Sequence, residues 1–389
     1  MYVDHLSLHE FRSWPALDLE LGAGATVLIG RNGQGKTNTV EAIDYLSRLS
    51  SHRVATDAPL VRQGAEQAVV RAAVIRDGRR AVLEVEINPG RSNRVRVNGS
   101  PLPRPRDLIG MLRSVVFAPD DLVLVKGDPG DRRRFLDDLL MQASPRYVGL
   151  KSDYDRVLKQ RNSLLRTASN ARSSMQSAMA TLEVWDERLI SMGAAIMAAR
   201  SDLIGALNPL VSQAYEVVAR SARTTHAQIS YRPRLSHDVG DLSGEENYAE
   251  ALTAELEQRR KDELVRGITL VGPHRDELAC QLGDFPVKGY ASHGESWSFA
   301  LALRLASYES LRLTDTNIVD DPVLILDDVF AELDETRRDS LAELVADAEQ
   351  VLVTAAVPDD VPQVLRGRRY VIADGSATLD DVSRETVQA

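Results

Sequence analysis

The chain has 389 residues, 43% of them hydrophobic, and a formal net charge of −10, so it has room for two folded regions and does not attract nucleic acid through overall charge, although a local basic face is compatible with that balance. Cys280 is the only cysteine, which excludes an intramolecular disulfide and points to a reducing compartment. The start lacks a basic-then-apolar leader pattern and no run approaches ~18 consecutive apolar residues, so the expectation is a soluble cytoplasmic protein with no membrane partner.

Val3 to Trp14 begins with alternating apolar and polar residues, and Leu17, Leu19 and Leu21 alternate again, which predicts two antiparallel strands. Ala25–Ile29 reads as a short buried strand. It runs into Gly30-Arg31-Asn32-Gly33-Gln34-Gly35-Lys36-Thr37, a complete G-x-x-x-x-G-K-T phosphate loop, followed by Asn38 and by Val40, Ile43, Leu46 and Leu49 at helical spacing. A strand before and a helix after are what the motif requires. Glycines let successive N–H groups curl around a triphosphate, and the helix N-terminus adds its positive end. Lys36 can reach the outer phosphates, and the Thr37 hydroxyl can ligate Mg²⁺. The stretch therefore predicts binding of a nucleoside triphosphate, ATP, with Mg²⁺.

Ser51-His52-Arg53 precedes a polar loop. Strands are predicted over Ala68–Ile75, Ala81–Ile87 and Arg94–Val97, with Asp77-Gly78 and Asn98-Gly99 as turn dipeptides. Val115–Phe117 is another strand, and a helix starts from Asp131 after the turn Lys126–Gly130. Tyr147–Thr167 and Ser174–Ala206 have helical spacing, while Pro209 and Pro233 interrupt the region and leave a further helix and a strand-like Ala227–Tyr231 between them. Helices of ~60 residues would span about 90 Å, so these shorter runs predict a stubby helical arm. Gly240–Tyr248 reads as a polar loop and Ala251–Arg266 as a helix whose Arg259-Arg260-Lys261 run is a solvated face. Strands are predicted at Gly267–Val271, Leu278–Leu282, Val323–Leu326, Val351–Val353 and Tyr370–Ile372, and helices at Glu295–Leu313 and Arg337–Ala348.

Val323–Leu326 ends in Asp327-Asp328. An apolar strand ending in aspartate places a carboxylate near the phosphates, where Asp327 can hold Mg²⁺ through water and Asp328 can orient or deprotonate an attacking water. The distance from the phosphate loop means that the nucleotide-binding region is split by an insertion. Tyr290-Ala291-Ser292-His293-Gly294-Glu295 is a small-residue turn opening a helix, either an ordinary serine cap or an anion site.

With these pieces in place, the chain resembles the ATP-binding-cassette heads of the structural-maintenance-of-chromosomes superfamily, and more narrowly the RecF family of bacterial recombination mediators. The narrower likeness is carried by Pro119–Asp137, with Lys126, Gly127, Pro129, Arg132, Arg133 and Phe135, by Leu326–Asp334, by Gly272-Pro273-His274-Arg275-Asp276-Glu277, and by the Phe11-Arg12 opening. The fold class it implies is α/β: a P-loop ATPase head with a β-rich subdomain, residues 1–140 and 265–389, split by a mainly helical arm, 141–264.

What the resemblance implies for the site follows residue by residue. Gly30 to Asn38 would bind ATP, Thr37 and Asp327 would serve Mg²⁺, and Asp328 would be catalytic where cassette ATPases generally keep glutamate, so hydrolysis would be slow. Ser292, His293, Gly294 and Glu295 would complete the site of a second subunit, making ATP the glue of a homodimer. His293 departs from the commoner amide. Ala331, Glu332, Leu333 and Asp334 would form the loop after the catalytic acid, and Asp120 lies near where transporter cassettes keep a glutamine. The histidine those cassettes keep after the next strand is replaced by Thr354-Ala355-Ala356. Partners implied are DNA, single- or double-stranded, at gaps or junctions, with RecR and RecO, in support of RecA loading and repair at the nucleoid. Arg91, Arg94, Arg96, Arg132 and Arg133 are the candidate DNA contacts, weighed against a solvated or ion-paired role. The competing readings are a transporter's energy-coupling subunit and a nucleotide-dependent scaffold that does not hydrolyse.

Overall fold

The opening alternation becomes a hairpin: β1 (Tyr2–Phe11) pairs antiparallel with β2 (Trp14–Glu20), and β3 (Gly24–Ile29) follows. After the phosphate loop come α1 (Lys36–Arg48), β4 (Ala68–Arg76), β5 (Arg79–Ile87), β6 (Arg94–Val97), β7 (Ser100–Pro101) and β8 (Ser114–Phe117). Asp77-Gly78 and Asn98-Gly99 all have positive φ, as tight two-residue hairpin turns require. The chain continues through α2 (Leu122–Lys126), α3 (Pro129–Ala143), α4 (Pro145–Asn170), α5 (Met175–Val218), β9 (Ala227–Arg232), α6 (Glu245–Arg266), β10 (Glu277–Leu282) and β11 (Phe285–Pro286). It ends with α7 (Val287–Tyr290), α8 (His293–Arg312), β12 (Val323–Asp327), α9 (Glu335–Val345), β13 (Gln350–Ala355), β14 (Arg368–Ala373) and β15 (Ser376–Leu379). This computed structural model describes residues 1–170, 175–219, 226–235, 243–312 and 320–380, with backbone alone at 168–170 and 175–180.

The chain divides into two compact units, Met1–Leu122 with Gln213–Thr225 and Trp297–Ala389, and Val123–Ser212 with His226–Ser296. The first holds two six-stranded sheets. One is antiparallel, β2-β1-β4-β5-β6-β7; the other, β15-β14-β3-β13-β12-β8, is parallel except for the β14–β15 hairpin. Leu6, Phe11 and Val85 from the first sheet, Ile325 and Leu352 from the second, and Val40 and Tyr45 of α1 share one apolar core. β3 and β12 flank β13, so the segments leaving their carboxyl ends are neighbours, where open α/β sheets bind ligands.

The second unit contains the sheet β11-β10-β9 and helical packing around buried charge pairs. Arg161 donates to Asp186 and Glu263, both at 2.6 Å, and Arg200 donates to Asp137, also at 2.6 Å. Arg200 lies within Thr181–Val218, a helix segment long and apolar enough by composition to cross a membrane. The units also correct the sequence-based division at 140/141 and 264/265. α3 and the block from Gly272 to Glu277 pack together through Arg132 and Glu277, which draws both into the helical unit.

Several sequence expectations change. α5 runs 44 residues, about 66 Å, straight through Pro209, so the helix is longer than the stubby arm predicted. Leu207, Val211 and Tyr215, all buried, hold both sides of the proline in register despite its missing donor. Gly267–Val271 is not a strand. Side chains take the backbone groups a ladder would use: Asn162 Oδ1 accepts from Thr269 N, Glu263 Oε1 from Leu270 N, and Arg275 donates to Thr269 O. Of the expected polar loop Gly240–Tyr248, residues 240–242 lie outside the described residues and Glu245–Tyr248 already belongs to α6. The short helix α2 was not anticipated.

A candidate nucleotide site and a serine-capped turn

β3, held between β14 and β13, delivers the phosphate loop at its carboxyl end. Glycine is required there for different reasons. A Cβ at Gly30 would lie 2.3 Å from the Ile372 carbonyl oxygen. Gly35 has φ 106, and a Cβ on it would approach Ser13 Oγ to 2.8 Å. Trp14 Nε1 donates to Gly35 O at 3.2 Å and pins the loop to the β1–β2 hairpin. Lys36 crosses the loop, donating to Gly30 O at 2.8 Å and Arg31 O at 3.4 Å, with Asn32 Oδ1 3.5 Å away. Gln34 Oε1 accepts from Asp374 N, and Asn38 bridges Ser13 Oγ and Arg53. Gly33, at φ 83, faces open space.

β12 brings the paired aspartates to the same place. Thr37 Oγ1 donates to Asp327 Oδ1 at 2.9 Å, and Thr354 Oγ1 donates to the same oxygen at 2.6 Å. Asp327 is 5% exposed; burial pushes its pKa up, opposed by the two threonine hydroxyls. Asp328 adopts a left-handed conformation, φ 50, and its amide donates to Thr354 Oγ1 at 2.9 Å. One hydroxyl beside one buried carboxylate suits Mg²⁺, a hard cation that keeps waters and takes phosphate oxygens for its other ligands. Thr354 was read from sequence only as the place of an absent histidine. Its signal is the parallel register that sets it opposite Asp327.

Beyond Asp328, Ala331 and Glu332 fall in a single 3-10 turn and Leu333 is buried. Asp334 caps α9 by accepting from Arg337 N at 3.0 Å. Asp120 is exposed in the turn after β8, whose Phe117 pairs with Leu326 of β12. Its neighbour Asp121 is the fixed carboxylate, holding Arg304 Nη2 at 2.6 Å.

Four residues beside the loop, Glu41, Arg12, Ser51 and Arg53, are not among the sequence-based site candidates. Glu41, fully buried on α1, accepts from Arg12 at 2.6 Å, from Arg53 at 3.1 Å and from Ser51 at 2.6 Å. This clamp ties Phe11-Arg12 and Ser51-His52-Arg53 to the phosphate-loop helix. The polar spacing alone carried no sign that the three meet.

In the second unit Ser292 and Glu295 form a reciprocal capping box at the start of α8: Ser292 N donates to Glu295 Oε2 at 2.8 Å and Glu295 N to Ser292 Oγ at 3.3 Å. Ser292 and His293 are exposed, Gly294 half-buried, and Lys126 Nζ lies 3.4 Å from His293 Nδ1. The serine is thus both a helix cap and an outward-facing hydroxyl.

The basic candidates separate by burial. Arg132 is 6% exposed and grips Glu277 with two donors, at 2.7 and 2.9 Å, so its guanidinium is withdrawn from any phosphate backbone. Arg133 donates to Asp276 O at 2.7 Å. Both take the paired role weighed against DNA contact, with the Gly272–Glu277 block as their partner. Arg94 pairs with Glu86 at 3.3 Å and Arg96 with Glu84, while Arg91 is exposed.

A phosphate loop and an acid pair on adjacent parts of one parallel sheet, facing an antiparallel sheet, define the fold as an ATP-binding-cassette-type P-loop ATPase head. Comparison with known proteins gives the same class, since the RecF/RecN/SMC N terminal domain family matches residues 2–366. The chain is 58% identical to the DNA replication and repair protein RecF of Nocardioides sp. over 96% of this chain and 99% of that protein, and 55% identical to that of Streptomyces avermitilis over 97% and 99%. Among solved structures it resembles the recombination mediator RecF with ATP, at TM-score 0.86 and 27% identity over 97% of each chain. An Smc head domain from Pyrococcus furiosus, at TM-score 0.54 and 16% identity over 99% of this chain and 97% of that one, shares the fold. The chain belongs to the RecF family.

Proposed function

We propose that this protein is an ATP-gated DNA-repair clamp: ATP draws two copies together, the closed pair holds DNA at or near single-strand gaps, and slow hydrolysis reopens it. The observation that carries the reading is the convergence of Thr37, Asp327 and Thr354 beside the phosphate loop. Family membership supplies the DNA side, because the relatives are named DNA replication and repair proteins.

In this reading the loop amides and Lys36 hold the triphosphate, with Lys36 exchanging its loop carbonyls for outer phosphate oxygens. Bound Mg²⁺ would be held by Thr37 and, through water, by Asp327, and would neutralise charge on the phosphates. Asp328 orients and polarises the attacking water. It is one methylene shorter than the glutamate of most cassette ATPases, which makes turnover slow. Ser292, His293, Gly294 and Glu295 reach the ATP of the second copy, the serine hydroxyl donating to a phosphate. DNA contact is to the backbone, with Arg91, Arg94 and Arg96 as the candidates left exposed or part-exposed, and is therefore salt-sensitive. RecR and RecO are the partners the family implies, in support of RecA loading.

The test is sedimentation velocity and gapped-duplex binding on the full chain, with and without ATP and Mg²⁺. ATP should raise both the dimer fraction and the DNA affinity. A sedimentation profile indifferent to ATP would refute the clamp.

A further inference from the structure

Beside the serine-capped turn, within the second unit, lies an apolar surface to which the clamp reading gives no task. Phe285 and Tyr290 are 59% and 69% exposed, and their rings stack on each other, centroids 5.4 Å apart and planes 27° from parallel. Single exposed apolar residues are ordinary, whereas a joined pair of large rings facing solvent points to a contact surface. The backbone around them is firmly set. β11 pairs with β10 so that Phe285 stands opposite Leu282, Val287 is buried, and Ala291 N donates to Val287 O at 3.1 Å. Gly289, at φ 91, takes the left-handed bend between the two rings. The pair is therefore presented ready-made, and a partner would not bear the cost of ordering it.

What covers the rings follows from their neighbours. Ser292 is two residues from Tyr290, so at most ~7 Å of backbone separates them, and whatever the turn meets lies within reach of the tyrosine. The surroundings do not suit a DNA backbone. Lys288, between the two rings in sequence, has its ammonium committed to Gly127 O at 2.8 Å and to Asp128 Oδ1 at 3.7 Å. Asp128 and Asp284 are exposed and would repel phosphates. An apolar centre with a rim of both charges is instead the make-up of a protein–protein contact.

We propose that Phe285 and Tyr290 form the apolar anchor of the ATP-dependent homodimer, packing on the second copy beside the triphosphate that Ser292 reaches. The inference rests on the clamp reading. A few aromatic anchors carry most of the energy of such contacts, so ATP supplies the polar bridge and the ring pair much of the affinity.

Sedimentation velocity on the full chain with ATP and Mg²⁺ measures the Kd of the dimer. ATP affinity of the dilute monomer, gapped-duplex binding and the melting temperature are followed in parallel. Tyr290→Ser and Phe285→Ser should each raise that Kd at least about tenfold, the scale of a lost aromatic hot spot, with ATP affinity and melting temperature unchanged. Tyr290→Phe keeps the ring and should stay within about threefold of the parent. In the unaltered protein, hydroxyl-radical labelling of both rings should fall when ATP is added, and should stay constant in Lys36→Met. Should the serine variants melt early, the labelling of the parent decides alone. Parent-like dimerisation of the doubly substituted chain would overturn the proposal, and so would labelling that ignores ATP in a parent that dimerises. A serine variant that dimerises normally but has lost gapped-duplex binding would also overturn it, making the rings a base-stacking platform. Should the parent stay monomeric with ATP, the clamp reading fails first and takes this inference with it.

Discussion

Thr354 stands opposite Asp327 in the parallel register of β13 and β12, and its hydroxyl serves both acids: it donates to Asp327 Oδ1 at 2.6 Å and accepts the Asp328 amide at 2.9 Å. One β-branched residue thus fixes the Asp327 carboxylate and the left-handed turn that aims the next one. Thr354→Val keeps the shape and removes the hydroxyl. It should cost about 1–2 kcal/mol of stability, because a buried carboxylate oxygen and an amide each lose a partner. ATP affinity should also become more dependent on Mg²⁺ concentration, whereas Thr354→Ser should stay near the parent. Thermal denaturation and nucleotide titrations at several Mg²⁺ levels check this. Equal behaviour of the valine variant and the parent would dismiss the shared role.

Much of the ATPase half was legible because its signals are local. A period-two pattern gives β1 and β2, the turn dipeptides give β4 to β6, and the phosphate loop and Asp327-Asp328 announce themselves by spacing. What stayed hidden is tertiary. Thr354 reaches the site through strand order, and Arg12 and Arg53 reach Glu41 through folding of segments with no common pattern. Residues Gly267–Val271 have strand composition, yet Asn162, Glu263 and Arg275 claim their backbone groups. The ion-paired role weighed for Arg132 carried no named partner, because Glu277 is far away in sequence.

Asp328→Asn tests whether turnover resets the clamp. The amide keeps the side chain's size but cannot take a proton from water. ATP should still bind and drive association, hydrolysis should fall by at least about tenfold, and the ATP-bound dimer should outlast that of the parent. Unchanged turnover together with an unchanged dimer lifetime would favour the non-hydrolysing scaffold.

Lys36→Met removes the one loop ammonium, which now spans Gly30 O and Arg31 O. Nucleotide affinity should drop by roughly 2 kcal/mol or more, the scale of a charge-assisted contact to phosphate. ATP-driven dimerisation should vanish in sedimentation while the melting temperature without nucleotide stays close to the parent's. Retained dimerisation would remove the phosphate loop from the mechanism.

Ser292 caps a helix and, in the proposed clamp, would also touch the second copy's ATP, two roles that one substitution would confuse. Its hydroxyl caps α8, and loss of such a cap costs about 1 kcal/mol. Ser292→Arg should block ATP-driven closure while leaving ATP binding largely intact. Ser292→Asp preserves a capping oxygen but sets a negative charge against the second copy's phosphates. It too should prevent dimerisation, now without loss of stability. If Ser292→Asp dimerises normally with ATP, the turn is a helix cap and nothing more.

His274 makes the helical unit acid-sensitive. It accepts from Tyr154 OH at Nδ1, 2.7 Å, and Nε2 donates to Thr269 O at 3.2 Å, so the folded ring is held neutral. Burial lowers its pKa from 6.5 to about 4, with Arg275, Arg133 and Arg161 adding to the effect and the Thr269 carbonyl opposing it. Between those values the unfolded chain binds a proton that the folded chain does not, so stability falls as pH drops through that window and levels off below it. The full effect is about 3 kcal/mol. Chemical denaturation at pH 7, 5.5 and 4.5 should show this slope in the parent and a shallower one in His274→Gln, whose amide can keep one of the two contacts. Carboxylates titrate equally in both proteins and cancel in the comparison. Parallel slopes in parent and variant would mean that the histidine contributes no acid sensitivity.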